Sequence, residues 1–439
     1  MKLIIPYSPS RQVLLGTLGY EIATGEKFEE IILTSEQEPE EMLEIIEKIS
    51  RALGAKLSLR VLGRDPRSWA RLEIPEDTIL DITPGRKIYA SILLQKCLVS
   101  RSCRARYLYI EEEKKYGYKF FGYMPKWSFK FFELHPELNL LKLDASKLKE
   151  VHISDSQEHS QKVAPETIQA IVNLYSQSGA NEFSIEACGG RAEFEFTEES
   201  LILKSYSSFG SGDLEAFEEV LSSSLELENK EEVYSKLSKC VSEGGIIVPD
   251  TNVFIHGRIF DYLKSQYKYV EIMKPVWAEL LPQALEEKET SLGRKKLLGV
   301  IRATALNKTI PTMDRMLKGD VEIINSLKKL LDERKKVCFL TSDARLSLAV
   351  SNVLRGDEVL MRAPSLEEGR KFCAEELYSF FLNLAFQCKG FKLSMAERTF
   401  SFELGRIGEL GTGIPNLKLK GPERADDLAF LDMIVRETL

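Results

Sequence analysis

Asp250 closes an apolar, β-branched run, Ile246-Ile-Val-Pro249, which Gly244-Gly245 introduces. The run reads as a short buried strand. Thr251 and Asn252 follow, three polar groups in a row where core residues would otherwise continue. A buried carboxylate costs roughly several kcal/mol unless it is paired or binds a metal. Ligand sites in open α/β sheets lie just beyond the carboxyl ends of strands. Asp250 is therefore placed to hold a cation. The plain alternative is an Asx-turn or helix cap at Asp250 or Asn252. On this stretch alone the two readings weigh equally.

Three further acids shift the balance. Val276-Trp-Ala-Glu-Leu-Leu281 follows Pro275, a residue suited to a first helical turn, and Glu279 sits inside that apolar start. Lys336-Val-Cys-Phe-Leu-Thr-Ser-Asp343 is a second buried strand ending in polar residues, so Asp343 repeats the pattern of Asp250. Between them, Gly319-Asp320 precedes a helix over Val321–Glu333, with Asp320 as its cap or as a fourth acid. Hard oxygen donors of this kind suit Mg²⁺ or Mn²⁺. One or two such ions activate a water and stabilise a leaving oxygen. Without metal the clustered carboxylates repel one another.

In order and context these residues resemble a PIN-domain nuclease over about Gly244 to Pro364: Asp-Thr-Asn, a helical Glu, an Asp before a helix, then Thr-Ser-Asp after a strand. The resemblance implies a parallel sheet of four or five strands with helices on both faces. It implies metal-dependent cleavage of single-stranded RNA, less often DNA. Carried over, the metal ligands are Asp250, Glu279, Asp320 and Asp343, with Asn252 and Thr341 as supporting catalytic groups. Asp314 competes with Asp320 for its role. A PIN-like fold without activity is the inert alternative.

The elements that position these groups belong to a chain of 439 residues, enough for about two to four domains. With 44% apolar and 29% charged residues it forms ordinary cores. The net charge of −7 argues against bulk coating of nucleic acid and leaves room for a local basic groove. Seven cysteines, scattered and without a C-x-x-C pair, point to a reducing cytoplasm and away from a thiolate zinc site. No secretory leader and no apolar run of transmembrane length is read, so a cytoplasmic location is expected. Abundant Glu and Lys with scarce Gln hint at a thermophile.

Residues 1–144 read as an α/β domain. Strands are expected at Lys2–Pro6, Glu30–Leu33, Leu57–Leu62, Thr78–Thr83 and Ala105–Ile110. Helices are expected through Leu14–Ile22, Glu38–Leu53 and Ile88–Val99. Alternation of this kind makes a parallel, doubly wound, Rossmann-like sheet. Two polar loops fall at strand carboxyl ends. One holds Ser8, Ser10 and Arg11; the other holds Asp81, Thr83, Gly85, Arg86 and Lys87 at the mouth of a helix. Free helix N–H groups and paired cations suit a phosphate. Neither G-x-G-x-x-G nor G-x-x-x-x-G-K-[ST] is present, which argues against dinucleotide and NTP sites of those classes. A plain turn with solvated cations is the alternative.

The turn Asp81-Ile-Thr-Pro-Gly-Arg-Lys87, with the helix after it and Arg106-Tyr-Leu-Tyr-Ile110, resembles the ligand loop of CARF domains, the CRISPR-associated Rossmann-fold sensors. The likeness covers roughly Met1 to Phe132. Pro84 departs from the Gly-Gly-Thr-Lys type of turn common in that family. The resemblance implies a homodimer that binds a cyclic oligoadenylate, first of all cyclic tetra-adenylate, across its two-fold axis. Ser8, Ser10, Arg11, Asp81, Thr83, Gly85, Arg86 and Lys87 are the expected ligand-binding residues.

Residues 145–241 and 368–439 flank the nuclease segment, residues 242–367, and look alike. Each reads as helix, alternating strands, helix: Glu166–Ser178 to Leu221 in the first, Glu375–Gln387 to Val435 in the second. Asn173-Leu174 matches Asn383-Leu384, and Asp213-Leu-Glu-Ala-Phe217 resembles Asp427-Leu-Ala-Phe430. The pair reads as a repeat, with chance likeness of two small α+β modules as the alternative. Basic clusters at Arg294-Lys295-Lys296 and Arg334-Lys335-Lys336 are either a guide for an RNA backbone or solvated helix faces. His135, His152, His159 and His256 lack metal-ligand spacing. The aromatic stretch from Tyr116 to Phe132 reads as interface packing.

The expectation is a cyclic-oligoadenylate-activated ribonuclease of type III CRISPR antiviral defence. Its expected cofactor is Mg²⁺ or Mn²⁺, its substrate single-stranded RNA, its state a cytoplasmic homodimer without membrane attachment. An ungated PIN ribonuclease of RNA processing or toxin action, and a nucleotide-sensing regulator with a silent nuclease fold, are the alternatives. Dependence of cleavage on a small nucleotide separates the first; absence of metal binding at the acids would favour the second.

Overall fold

The runs of β-branched residues become strands, and the apolar face of each amphipathic stretch becomes a buried helix side. The computed structural model describes the chain except residues 40–41, 112–121, 152–161, 210–212, 288, 307–308, 312–317, 334–335, 355–356, 406–418, 421–425 and 439. Asp314, His152, His159, Tyr116, Tyr118, Phe120 and Phe121 lie outside the described residues. The fold is mixed α/β. It divides into two compact units, Met1–Asn181 with Pro422–Leu439, and Glu182–Gly421.

The first unit is built on the strands β1 (Lys2–Pro6), β2 (Glu30–Ser35), β3 (Lys56–Val61), β4 (Thr78–Asp81), β5 (Cys103–Ile110), β6 (Phe129–His135) and β7 (Asn139–Leu140). Their order is β3-β2-β1-β4-β5-β6-β7. The first five are parallel, as expected. The last two are antiparallel additions that the alternation did not reveal: Phe129, Phe131 and Phe132 are strand residues here. Helices α1 (Arg11–Ala23), α2 (Leu43–Ala52), α3 (Pro66–Arg71) and α4 (Lys87–Val99) connect the strands. Helix α3 was not anticipated; Asp65 caps it, and its Trp69 stacks on Tyr89 of α4 at 4.2 Å. Ile4, Ile32, Leu80, Leu93 and Ala105 fill the core beside that pair. A short strand, β8 (Lys162–Val163), precedes helix α5 (Pro165–Gln177), which packs on the closing helix Asp426–Thr438. Asp432 of that closing helix accepts from Ala164 N at 2.8 Å and from Thr167 Oγ1 at 3.0 Å.

The second unit holds an antiparallel sheet made of β9 (Glu182–Ala187), β10 (Gly190–Phe196), β11 (Leu201–Ser208), and, from the far end of the unit, strands Gly390–Met395, Arg398–Leu404 and Leu419–Lys420. Phe183, Phe194 and Phe196 alternate onto one buried face, as their period-2 spacing requires. Helices α6 (Leu214–Ser224) and α7 (Lys230–Ser242) lead into β12 (Ile246–Pro249), α8 (Thr251–His256), α9 (Phe260–Ser265), α10 (Lys274–Glu286), α11 (Ser291–Leu306) and α12 (Asp320–Asp332). Then come β13 (Val337–Thr341), α13 (Ala344–Leu354), β14 (Glu358–Leu360), β15 (Lys371–Phe372) and α14 (Leu377–Cys388). The strands named above by range are β16, β17 and β18. The antiparallel order β15-β11-β10-β9-β16-β17-β18 places β9 beside β16, so strands from the two ends of the unit meet at the middle. Helix α14 packs on α6.

Within residues 242–367 a separate parallel sheet forms, ordered β12-β13-β14. It has three strands among the described residues, against the four or five that the resemblance implied; Val270 adds only an isolated bridge to Ile247. Val248, Val337 and Phe339 of the sheet pack with Leu327 of α12 and Leu346 and Val350 of α13. Six of the seven cysteines pair as Cys97–Cys103, Cys188–Cys388 and Cys240–Cys338, which leaves Cys373 as the free thiol. That differs from the reduced state read from spacing. The partners of the second and third pairs are 200 and 98 residues apart, and only the fold brings them together. Among the described residues no helix is long and apolar enough to cross a membrane.

Candidate functional site

Parallel pairing of β12 with β13 sets Pro249 opposite Leu340, and Asp250 N donates to Leu340 O at 2.8 Å. The two strand-then-acid motifs therefore end side by side. Thr341 Oγ1 donates to Asp250 Oδ2 at 3.0 Å, and Asp343 N donates to the same Thr341 Oγ1 at 3.0 Å. Asp250 Oδ1 accepts from Thr251 N at 2.7 Å and caps α8. Thr251 Oγ1 then donates to Glu279 Oε2 at 2.8 Å, which links the strand end to α10. Asp343 Oδ1 accepts from Arg345 N at 2.8 Å and Leu346 N at 3.1 Å, so this acid caps α13 as well.

Asp250, Glu279, Thr341 and Asp343 thus form one connected group. Asn252 lies half-buried on the first turn of α8. Asp320 is exposed at the start of α12, and among the described residues no hydrogen bond or ion pair joins it to the other acids. Two members were missed by sequence reasoning. Thr251 was read only as part of a polar triplet, yet it bridges Asp250 and Glu279. Lys296 Nζ donates to Glu279 Oε1 at 2.6 Å with its side chain 9% exposed. It belongs to the Arg294-Lys295-Lys296 cluster, which is neither a solvated face nor an open groove. Arg294 donates to the carbonyls of Phe386, Gln387 and Glu289, and Lys295 pairs with Glu219.

Burial pushes Asp250 up from 3.8 to about 6. The hydrogen bonds from Thr251 and Thr341 oppose that rise, and the charges of Glu279 and Asp343 add to it. His256, at the end of α8, is pushed down to about 3 by burial and by the cations of Arg258, Lys295, Arg302 and Lys296. It is neutral near pH 7, and its Nδ1 lies 3.8 Å from Glu219. As the side chains stand, no three His, Cys, Asp or Glu among the described residues are grouped to hold a metal. The donor chemistry fits nonetheless: neighbouring carboxylates, with Asp250 pushed up in part by the charges of Glu279 and Asp343, are oxygen ligands that a hard divalent cation suits. Binding one would exchange the present hydrogen bonds for metal–oxygen bonds.

In the first unit the strand order reverses between β1 and β4. In doubly wound sheets that is where a ligand crevice opens. The loops after these two strands are the two singled out above. Ser10 caps α1, accepting from Val13 N at 3.5 Å, and Ser8 Oγ accepts from Ser10 N at 3.2 Å. Arg11 lies 3.5 Å from Glu437. Thr83 Oγ1 accepts from Leu108 N at 2.8 Å, and Gly85 lies against Pro6. Arg86 pairs with Glu36 at 3.0 Å, while Lys87 stands exposed on the first turn of α4. Asp81 is fully buried; its Oδ1 accepts from Thr83 N at 2.8 Å and shapes the turn from beneath. Burial and the Glu21 charge hold its carboxyl well above the usual range, and Glu21 itself pairs with buried Arg106 at 2.5 Å.

These features define a class of protein: an α/β chain with a phosphate-suited loop pair at a sheet switch point and a linked set of acids at a second sheet. No family model matches the chain, and no curated protein does. Among solved structures it is similar to Can2 from Sulfobacillus thermosulfidooxidans in complex with cyclic tetra-adenylate, at 14% identity and a TM-score of 0.24. That match covers 40% of this chain and 46% of Can2, so the chain spans under half of that protein's length. It is also similar to a type III CRISPR defence DNA nuclease activated by cyclic oligoadenylate, at 11% identity and a TM-score of 0.26, covering 90% of this chain and 67% of that one. Scores this low carry no argument about residues or chemistry.

Proposed function

We propose that the chain is a cyclic-oligoadenylate-activated, metal-dependent endoribonuclease of type III CRISPR antiviral defence, working as a cytoplasmic homodimer. The observation that carries the reading is the continuous chain of hydrogen bonds Glu279–Thr251–Asp250–Thr341–Asp343 at the carboxyl ends of β12 and β13. Three separate sequence segments converge on one polar point, which a plain helix cap does not require. Residues 1–144 are the CARF-like sensor and residues 242–367 the PIN-like nuclease, with the repeated modules 145–241 and 368–439 on either side. Asp250, Glu279 and Asp343 would hold Mg²⁺ or Mn²⁺. The ion, when bound, supplies Lewis acidity toward a phosphate and its bound water. Thr251 and Thr341 orient the carboxylates, and Asn252, half-buried on the first turn of α8, is their polar support. Asp320 belongs to the site only if α12 moves toward it.

On the sensor side, Ser10, Arg11, Thr83, Arg86 and Lys87 flank the switch point, where helices α1 and α4 turn their N–H groups outward. The uncovered apolar side chains of α4, Ile88, Leu98 and Val99, supply a surface for a second copy. Ligand gating requires that the cyclic nucleotide bind the cleaving state more tightly than the resting one. Lys87→Ala weakens binding of cyclic tetra-adenylate at least roughly tenfold, since a charge-assisted contact to phosphate is lost. Titration calorimetry reads it; unchanged affinity would remove Lys87 from the pocket.

The deciding experiment is cleavage of labelled single-stranded RNA with Mn²⁺, with and without cyclic tetra-adenylate or cyclic hexa-adenylate, and single-stranded DNA alongside. Cleavage of RNA with one ring size only is the expected result. Ligand-independent cleavage discards the gate, and DNA cleavage alone discards the RNA substrate.

A further inference from the structure

Beneath the loop that follows β4, two carboxyl groups meet in the core of the first unit. Glu21 of α1 and Asp81 of β4 are both fully buried, and their side chains lie within hydrogen-bond reach of each other. Each has one oxygen engaged by a donor: Glu21 Oε2 accepts from Arg106 Nη1 at 2.5 Å, and Asp81 Oδ1 accepts from Thr83 N at 2.8 Å. The other two oxygens, Glu21 Oε1 and Asp81 Oδ2, have no donor among the described residues. An ionised carboxylate only accepts, so two of them in contact forfeit a hydrogen bond and repel each other as well. One proton on either group removes both losses, because the protonated acid then donates to the ionised one. The cations nearby are committed elsewhere. Arg106 also donates to Glu26 at 3.0 Å and Glu133 at 3.3 Å, and Arg104 donates to Glu26 at 2.8 Å. Glu21, Glu26, Glu133 and Asp81 therefore outnumber the guanidiniums of Arg104 and Arg106 that face them. Asp81 is also the floor of the candidate ligand loop. It holds Thr83 N, and Thr83 Oγ1 accepts from Leu108 N at 2.8 Å, which ties the loop to β5 just before Gly85, Arg86 and Lys87.

We infer, resting on the sensor reading above, that Glu21 and Asp81 share one proton at neutral pH and that Glu21 is thereby a positioning residue of the ligand loop, fixing Asp81 and, through it, the turn at Thr83 that presents Lys87. Fully buried, Glu21 acts on a ligand only through that turn. Burial raises both carboxyls above their ordinary values, the Glu21 charge raises Asp81 further, and the hydrogen bonds from Thr83 oppose that rise. The folded pair holds its proton more tightly than the unfolded chain does. Its contribution to stability is present below the ordinary carboxylate range and is lost as pH rises through the folded-state value.

The test uses the full-length protein and two independent readings. The first is the infrared difference spectrum at pH 8 between the wild type and the double variant Glu21→Gln/Asp81→Asn. One protonated-carboxyl band and one carboxylate band are lost together. Loss of carboxylate absorption alone, or of carboxyl absorption alone, would overturn the shared proton. The second is calorimetric titration with cyclic tetra-adenylate across pH 6 to 9. Glu21→Gln supplies a hydrogen to Asp81 from its amide, so it binds within about threefold of the wild type at pH 7 and keeps that affinity, and its thermal midpoint, better as pH rises. Glu21→Met fills the space without a donor and binds roughly tenfold more weakly. Wild-type affinity in folded Glu21→Met would overturn the positioning role. Should Glu21→Met not fold, parallel loss of affinity with pH in the wild type and Glu21→Gln would overturn it instead. No binding by the wild type at any pH would overturn the sensor reading and the positioning role with it, while the infrared result still decides the proton.

Discussion

Asp250→Asn lowers cleavage at least roughly 100-fold and raises the thermal midpoint of the metal-free protein at neutral pH. Both effects come from the same carboxylate. Asp250 is 3% exposed, and burial lifts its folded-state pKa above the unfolded value of 3.8 to about 6. The folded protein therefore holds this proton more tightly than the unfolded chain does. The contribution to stability is fully present below about pH 4 and is lost as pH rises through 6. At pH 7 the ionised, buried carboxylate costs about 3 kcal/mol relative to its neutral form. Asparagine keeps an oxygen for Thr251 N and has no charge to bury, so the variant avoids this loss. It also has no charge to offer a cation, so catalysis goes with it. Melting curves between pH 5 and 8 read the first effect. The wild type should lose more of its midpoint across that range than Asp250→Asn, and added Mn²⁺ should restore the wild type only. Parallel curves for the two proteins would show that Asp250 does not carry the strained charge.

The second large effect is expected away from the acids. Arg302→Met lowers the thermal midpoint by roughly 10 °C and reduces cleavage with it. Arg302 is fully buried on α11. It donates to the carbonyls of Phe254 at 3.1 Å and Ile255 at 2.8 Å, and to Ser379 at 2.7 Å and Asn383 at 3.1 Å on α14. Asn383 donates in turn to His256 O at 3.0 Å. These are the last carbonyls of α8, whose first residue follows Asp250. A helix of six residues does not hold its shape on its own, so the guanidinium is what ends it firmly. Removing it leaves several buried carbonyls and an amide without partners, roughly 3–5 kcal/mol in all. Lysine does not rescue the loss, because it lacks the planar fork. Gly257→Ala produces the same defect: the residue has φ +72°, and a Cβ there would lie 2.3 Å from Arg302 Cζ. A midpoint for Arg302→Met within about 2 °C of the wild type would sink this account. The geometry also makes α14 part of the support of α8, so a helix more than a hundred residues further along the chain bears on the placement of Asp250.

Much of this chain is legible in its sequence, because much of it is local. β-branched runs at Ile246–Pro249 and Val337–Thr341 announce buried strands. The polar residues that end them, Asp250 and Asp343, stand out whatever the partner strand is. The parallel order of the first sheet follows from alternating strands and helices, and the two polar loops after β1 and β4 stand out by composition. What stayed hidden depends on side chains that meet across the fold. Thr251 is 28 residues from Glu279, Lys296 is 17 from it, and Arg302 is 77 from Ser379. No spacing rule connects such pairs. Asp320 and Asp81 show the converse. Each has the right type and the right local setting, but whether an acid at a helix start or strand end faces a site, the solvent or the core is set by what packs beside it. Tertiary packing left Asp320 exposed and enclosed Asp81 beneath its turn. The same holds for the cysteines, whose scatter reads as reduced thiols until the chain brings Cys188 to Cys388 and Cys240 to Cys338. Hydrophobic period and turn chemistry act within a few residues and are written in order along the chain. The charges and hydroxyls that make a site act over a few ångströms of space, and only the folded chain decides which of them are neighbours.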